Sequence, residues 1–235
     1  MKLLIDIGNT SAKLAVMDSD IVHFEHRRES WKNTFARLMT EFPISDVRLS
    51  SVAGKDPALK EALDTLSVPV IWLTASTPCP IKPITDIPAT YGADRWAADI
   101  GALSQDCDHT LLIIDAGTCL TYDVISHDGR ILGGAISPGV QLRLKAMHEH
   151  TALLPWVEAE DEAVLLGNDT RTAMLSSAVN GTRFEIEGYI RHLLHKFPDL
   201  HVFITGGNNF HFSDDIHCPI THDPNLVFRG LAAIM

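Results

Sequence analysis

Asp6-Ile7-Gly8-Asn9-Thr10-Ser11-Ala12-Lys13 brings a carboxylate, a glycine, two hydroxyls and an ammonium into one short stretch. That set suits the handling of a phosphorylated ligand. Gly8 lets the backbone bend sharply and come close to a ligand. N–H groups around Asn9–Ser11 can converge on an anion. Thr10 or Ser11 adds a hydroxyl, and Lys13 a positive charge. Asp6 follows the apolar run Leu3–Ile5, so it stands at a strand end, where it can orient a water bound to a divalent metal. A plain hairpin, with Asp-Ile-Gly-Asn as its turn, accounts for the same residues.

The pattern recurs. Ile113-Ile114-Asp115-Ala116-Gly117-Thr118 has the same shape: an apolar strand, an Asp, a small turn with Gly, a Thr, then another strand. A third strand, Val202–Thr205, runs into Gly206-Gly207-Asn208. Two hairpins and a Gly-Gly turn together favour a ligand site over turn chemistry. No G-x-x-x-x-G-K-[ST] sequence is present, so a P-loop is not the explanation.

The elements that must position these residues follow from periodicity. The spacing predicts strands at Leu3–Ile5, Ser11–Met17, Ile21–Phe24, Val47–Val52 and Val68–Leu73. It predicts a helix from Trp31 with Ser30 as N-cap, and another over Pro57–Leu66. Thr74–Thr90, with Pro78, Pro80, Pro83 and Pro88, reads as a long extended loop, and such loops are usually functional. A helix is expected over Asp94–Leu103, and a strand pair at Leu111–Ile114 and Leu120–Ile125 that turns at His127-Asp128-Gly129. Ala135–Val140 reads as a Gly/Pro turn, followed by a helix over Gln141–His150. Thr170–Tyr189 reads as a long helix broken at Gly181 or Gly188, and Leu226–Ile234 as a short helix or strand. Alternating strands and helices point to α/β organisation with a partly parallel sheet. The two Asp-x-Gly-x-Thr hairpins suggest two related halves, 1–108 and 109–235.

Composition bounds the class. The 235 residues hold 19 Lys and Arg against 30 Asp and Glu, a net charge of −11. Nucleic-acid binding through a broad basic surface is not expected. Hydrophobic residues make up 46%, enough to build a core and too many for a disordered chain. No apolar run is long enough for a membrane span or a signal-peptide core. Cys79, Cys107, Cys119 and Cys218 form no C-x-x-C pair, which points to a reduced cytoplasmic setting. The twelve histidines are scattered, and His148 and His150 lack H-E-x-x-H spacing.

The three turns resemble the phosphate-1, phosphate-2 and adenosine motifs of the actin-like ATPase superfamily of sugar kinases and heat-shock ATPases. The resemblance narrows further. Tyr91-Gly92-Ala93-Asp94-Arg95-Trp96-Ala97-Ala98 is similar to the G-x-D-R signature of type III pantothenate kinases. Asp6–Lys13 and Asp115–Asp123 resemble that family's phosphate motifs. Gly133–Gly139, Thr151–Pro155 and Gly167–Thr170 resemble further family segments, so the likeness spans almost the whole chain in the family's order.

That resemblance implies two similar actin-like (ribonuclease H-like) domains with an ATP cleft between them. It implies ATP-dependent phosphorylation of pantothenate, the first step towards coenzyme A, by a homodimer. Asp94 would be the general base; a helix N-cap or first-turn acid is the bland alternative. Tyr91, Gly92, Ala93 and Arg95 would line the pantothenate site. Arg95 would grip the substrate carboxylate, or else pair with Asp99 along the helix. Asp6, Ile7, Gly8, Asn9, Thr10, Ser11, Ala12, Lys13 and Thr118 would hold ATP with its Mg²⁺. Asp115 would bind K⁺ or NH₄⁺. Thr170 would contact substrate from the neighbouring subunit, or serve as an N-cap. One departure stands out: Thr85 occupies a position where the family often has a substrate-contacting Tyr. Cys119 replaces a usual Ala. Two other functions fit the scaffold, a non-catalytic accessory transcription factor and a kinase for another small molecule. The intact Asp6, Lys13, Asp94 and Asp115 speak against the first.

Overall fold

The computed structural model of the chain describes residues 1–8, 11–27, 31–52, 57–207 and 210–234. Its elements are β1 (Lys2–Ile7), β2 (Ala12–Met17), β3 (Ile21–Arg27), α1 (Trp31–Glu41), β4 (Asp46–Ser51), α2 (Pro57–Asp64), β5 (Val70–Trp72) and α3 (Ala93–Leu103). They continue with β6 (Leu111–Ala116), β7 (Cys119–Ile125), β8 (Ile131–Pro138), α4 (Val140–Glu149), α5 (Thr170–Lys196), β9 (His201–Gly206), β10 (Ile220–His222) and α6 (Leu226–Ala233). Ser30, the expected N-cap of α1, lies outside the described residues.

The chain forms two compact units. One comprises Met1–Cys107, Asp128–Ile131 and Asn225–Met235; the other comprises Asp108–His127 and Leu132–Pro224. In the first unit the sheet runs β3-β2-β1-β4-β5. Strand β1 is antiparallel to β2 and parallel to β4. In the second unit the sheet, read from its other edge, runs β8-β7-β6-β9-β10, and β6 is antiparallel to β7 and parallel to β9. The two sheets therefore have one topology, with β6 in the place of β1. This is the fold class that the repeated hairpins imply.

Each sheet buries its own apolar residues. Leu3, Ile5, Leu14, Val16, Val47 and Leu49 form the first core with Leu38 of α1. Leu112, Ile114, Tyr122, Val202 and Ile204 form the second with Ile186 and Ile190 of α5. In the first unit α6 lies directly on α3. A Cβ on Gly101 would fall 2.0 Å from the Leu226 carbonyl oxygen, and one on Gly230 would fall 1.8 Å from that of Ala97. Only glycine allows the two backbones to come so close. The C-terminal turn of α6 is tied to the sheet by Arg48 of β4, which donates to the carbonyls of Leu231, Ala232 and Ile234. Lys2 Nζ donates to Ala232 O at 2.8 Å.

Two expectations need correction, and a third, left open, is resolved. Ala135–Val140 is not a turn: β8 continues to Pro138, and Gly139 is the N-cap of α4. The long helix is not broken at Gly181 or Gly188, because α5 runs unbroken over 27 residues. Each glycine weakens a helix by ~1 kcal/mol, and the buried face of α5 offsets that. The C-terminal segment, left open between helix and strand, is the helix α6.

Candidate active site

Asp6 is the penultimate residue of β1, where its neighbours are set by register. Lys13 stands opposite on β2 and Ser50 alongside on β4. Ser50 Oγ donates to Asp6 Oδ1 at 2.8 Å. Burial pushes the Asp6 carboxyl up; the Ser50 bond and the Lys13 charge pull it down, and the charge of Asp94 pushes it up again. Asp6 and Asp94 thus lie within electrostatic reach of each other in the first unit. Ile7 and Ala12 are buried beside the turn, and Gly8 N–H donates to Ser11 O at 2.9 Å. Ser11 Oγ lies 2.8 Å from His26 Nε2. Asn9 and Thr10 lie outside the described residues.

Gly92 is the N-cap of α3, with no side chain to cap it. Asp94, in the first turn, supplies a substitute. Its Oδ1 accepts the Arg95 N–H at 2.8 Å. The carboxylate folds back over Gly92, and a Cβ there would sit 2.5 Å from Oδ1. The glycine of G-x-D-R is thus the space that the Asp94 carboxylate occupies. Ala93 opens the helix between them. First-turn acid and candidate base are compatible roles for Asp94. The Tyr91 hydroxyl turns inward and donates to Asp99 Oδ2 at 2.7 Å, and the Arg95 guanidinium lies 4.5 Å from the Tyr91 ring centre. Thr85 joins a short bridge: its N–H donates to Gly129 O and its carbonyl accepts from Ile131.

In the second unit Asp115 holds the place in β6 that Asp6 holds in β1. Its register neighbours are Thr121 on β7 and Thr205 on β9. Directly opposed residues share a sheet face, so the row Thr121–Asp115–Thr205 offers only oxygens. Such a row fits a hard monovalent cation. Thr118 is exposed at the hairpin turn, and its carbonyl accepts the Gly139 N–H at 3.0 Å. Ile204–Gly207 and His222–Pro224 line a pocket of ≈ 250 Å³; Asn208 lies outside the described residues. Burial, then the neighbouring His211, holds the His222 pKa below its usual value. Thr170 opens α5 but does not cap it: Asp169 is the N-cap, in a capping box with Thr172.

Among the described residues no cluster of three or more His, Cys, Asp or Glu could hold a metal ion. A metal that arrives with a nucleotide needs less, since Mg²⁺ keeps several waters and takes one or two carboxylates plus phosphates. Asp6 fits that smaller role. No helix among the described residues is long and apolar enough to cross a membrane. Sequence reasoning missed Ser50, and it gave Asp99, Thr121 and Thr205 none of these neighbours. All four placements become visible once the strand register and the α3 geometry are known.

The chain resembles known proteins along its whole length. The family profile of type III pantothenate kinases matches residues 2–192. A type III pantothenate kinase from Bacteroides fragilis is 38% identical over 236 residues, covering 100% of this chain and 97% of that one. A Campylobacter jejuni structure described as a Baf family transcriptional activator superposes with a TM-score of 0.61 at 22% identity, covering 98% of this chain and 95% of that one. A Sinorhizobium meliloti structure described as a 2-dehydro-3-deoxygalactonokinase gives 0.59 at 13% identity, covering 99% and 97%. These two likenesses speak to the fold alone. The sequence matches carry the family, and the chain belongs to the type III pantothenate kinases.

Proposed function

We propose that this chain transfers the γ-phosphoryl group of ATP to the primary hydroxyl of pantothenate, with Asp94 as general base. The observation that carries the residue assignment is the Asp94 carboxylate, held over Gly92 by the Arg95 N–H and within electrostatic reach of Asp6. A positioned base of this kind contributes about 10²–10⁴ in rate. Arg95 takes the pantothenate carboxylate through its fork of donors. Asp6 orients a water on the Mg²⁺ that rides with ATP. Lys13 and Ser11 in the first hairpin are assigned to phosphate binding, and so is Thr118 in the second hairpin. The pocket beside Gly206 and Gly207 receives the nucleoside.

Asp115, with Thr121 and Thr205, holds K⁺ or NH₄⁺. When bound, that ion offsets the crowding of negative charge around the triphosphate. Thr170, exposed at the start of α5, reaches the pantothenate site of a second copy in a homodimer. A cytoplasmic setting fits the four free cysteines.

A coupled assay for ADP, with and without pantothenate and with K⁺ varied, tests the reading. Turnover that requires pantothenate and rises with K⁺ supports it. ATP binding without turnover, or a preference for a sugar, overturns it. Mixing Asp94→Asn with Thr170→Val chains tests the shared site. Each variant alone loses activity, and mixed dimers regain part of it, because one of their two sites is then intact. No recovery on mixing removes the shared site.

A further inference from the structure

Tyr91 sits directly before the G-x-D-R segment, and its ring is held on three sides. Its hydroxyl donates to Asp99 Oδ2 at 2.7 Å. Trp96 meets the ring edge-on, with centroids 6.4 Å apart and planes at 72°. Trp96 is itself anchored by an Nε1–H bond to Thr77 O at 2.9 Å. The Arg95 guanidinium lies 4.5 Å from the ring centre. Tyr91 is 8% exposed and Asp99 is 0% exposed. A carboxylate in so dry a place is expensive. A Phe over a Leu would fill similar volume without that charge, and such replacements are often neutral or stabilising.

What the polar pair adds is orientation. The hydroxyl bond to Asp99 fixes the ring plane. A long arginine held in advance loses less freedom when its ligand arrives. We propose that Asp99 and Tyr91 are positioning residues that hold the Arg95 guanidinium in the pose that receives the pantothenate carboxylate. This inference rests on the reading of Arg95 given above. Tyr91 then acts as a platform beneath the arginine, with its hydroxyl committed to Asp99.

Steady-state kinetics of the full-length chain tests it. Tyr91→Phe keeps the ring and loses the bond. It is expected to raise KM for pantothenate about fivefold, the worth of one hydrogen bond, with kcat and KM for ATP little changed. Asp99→Asn keeps an acceptor for the hydroxyl and is expected to stay near wild type, whereas Asp99→Leu follows Tyr91→Phe. Pantothenol, which carries an alcohol in place of the carboxylate, separates positioning from general damage: with it the Tyr91→Phe penalty disappears. If Arg95→Ala raises KM for pantothenate but Tyr91→Phe does not, the platform is wrong and the arginine reading stands. A Tyr91→Phe penalty that persists with pantothenol also overturns the platform. If Arg95→Ala itself leaves that KM unchanged, the carboxylate reading falls, and the platform with it.

Discussion

Thr121 faces Asp115 across the β6–β7 ladder, in the place where Lys13 faces Asp6 across β1–β2. The two sheets share one topology, so the residues correspond, and the difference between them is one positive charge. The first carboxylate has a cation built into the chain; the second has hydroxyl neighbours. On the function proposed above, a mobile cation would sit beside Asp115. Asp115→Ala is expected to abolish stimulation by K⁺ and NH₄⁺. Thr121→Lys is expected to raise activity in the absence of those ions and to flatten the response to them. Initial rates across a K⁺ titration check both, and an undiminished response in both variants removes the cation from this site.

The close approach of Asp94 to Gly92 predicts a specific pattern of coupling. Asp94→Asn is nearly isosteric and should lower kcat by about 10²–10⁴ with the fold intact. Gly92→Ala places a Cβ where Asp94 Oδ1 now sits, 2.5 Å away. The carboxylate is the far end of a side chain, so it rotates off while α3 remains. Its kcat should therefore fall as well. The double variant should be little worse than Asp94→Asn alone, because both changes remove the same group. Independent, multiplying losses would show that Gly92 serves some other purpose.

Asp6 sets stability against function. Burial raises its carboxyl pKa, with Asp94 adding to the rise, so the folded protein holds a proton there more tightly than the unfolded chain. Such a group weighs on stability once the pH exceeds its unfolded value, and in full above its folded value. Asp6→Asn keeps the acceptor for Ser50 and sheds the charge. It should be more resistant to urea than wild type at pH 8, and this advantage should shrink as the pH falls towards the raised pKa. The same variant should lose turnover, as it no longer orients the metal-bound water. Equal midpoints at pH 8 would refute the first expectation.

Much of this site was legible because its signals are local. Asp6–Lys13, Asp115–Thr118 and Tyr91–Arg95 each carry their chemistry within a few neighbouring residues, and so does the echo between the hairpins. Ser50, Thr121 and Thr205 carry no local signal. They matter only because register sets them beside Asp6 and Asp115, and register depends on pairing between distant segments. Asp99 read as a surface partner for Arg95 at helical spacing; its burial against Tyr91 depends on how α3 packs. Gly181 and Gly188 misled in the other direction. They look like breaks in a helix, but a Cβ on Gly188 would meet nothing within 4 Å and one on Gly181 only Arg143 Nη1 at 3.9 Å, so α5 passes through both. Pro138 and Gly139 likewise disguised the end of β8 and the N-cap of α4 as a turn.

Arg48 connects this architecture to Asp94, the proposed base. It is buried in β4, pairs through Nε with Asp46 at 2.7 Å, and sends Nη1 to the last turn of α6. Carbonyls at a helix end lack partners within the helix and favour a cation there. The α6 helix in turn lies against α3 at Gly101 and Gly230, and α3 carries Asp94. Arg48→Met leaves those carbonyls and Asp46 without their fork and should lower stability by about 2–4 kcal/mol. Arg48→Lys restores a charge but not the planar fork, and should recover only part of the loss. Urea unfolding followed by circular dichroism measures both. At urea concentrations well below the Arg48→Met midpoint, kcat per folded molecule should stay near wild type, because Arg48 supports the helix pair and touches none of the reacting groups. A kcat loss in fully folded Arg48→Met would instead mean that α6 sets the position of Asp94 directly.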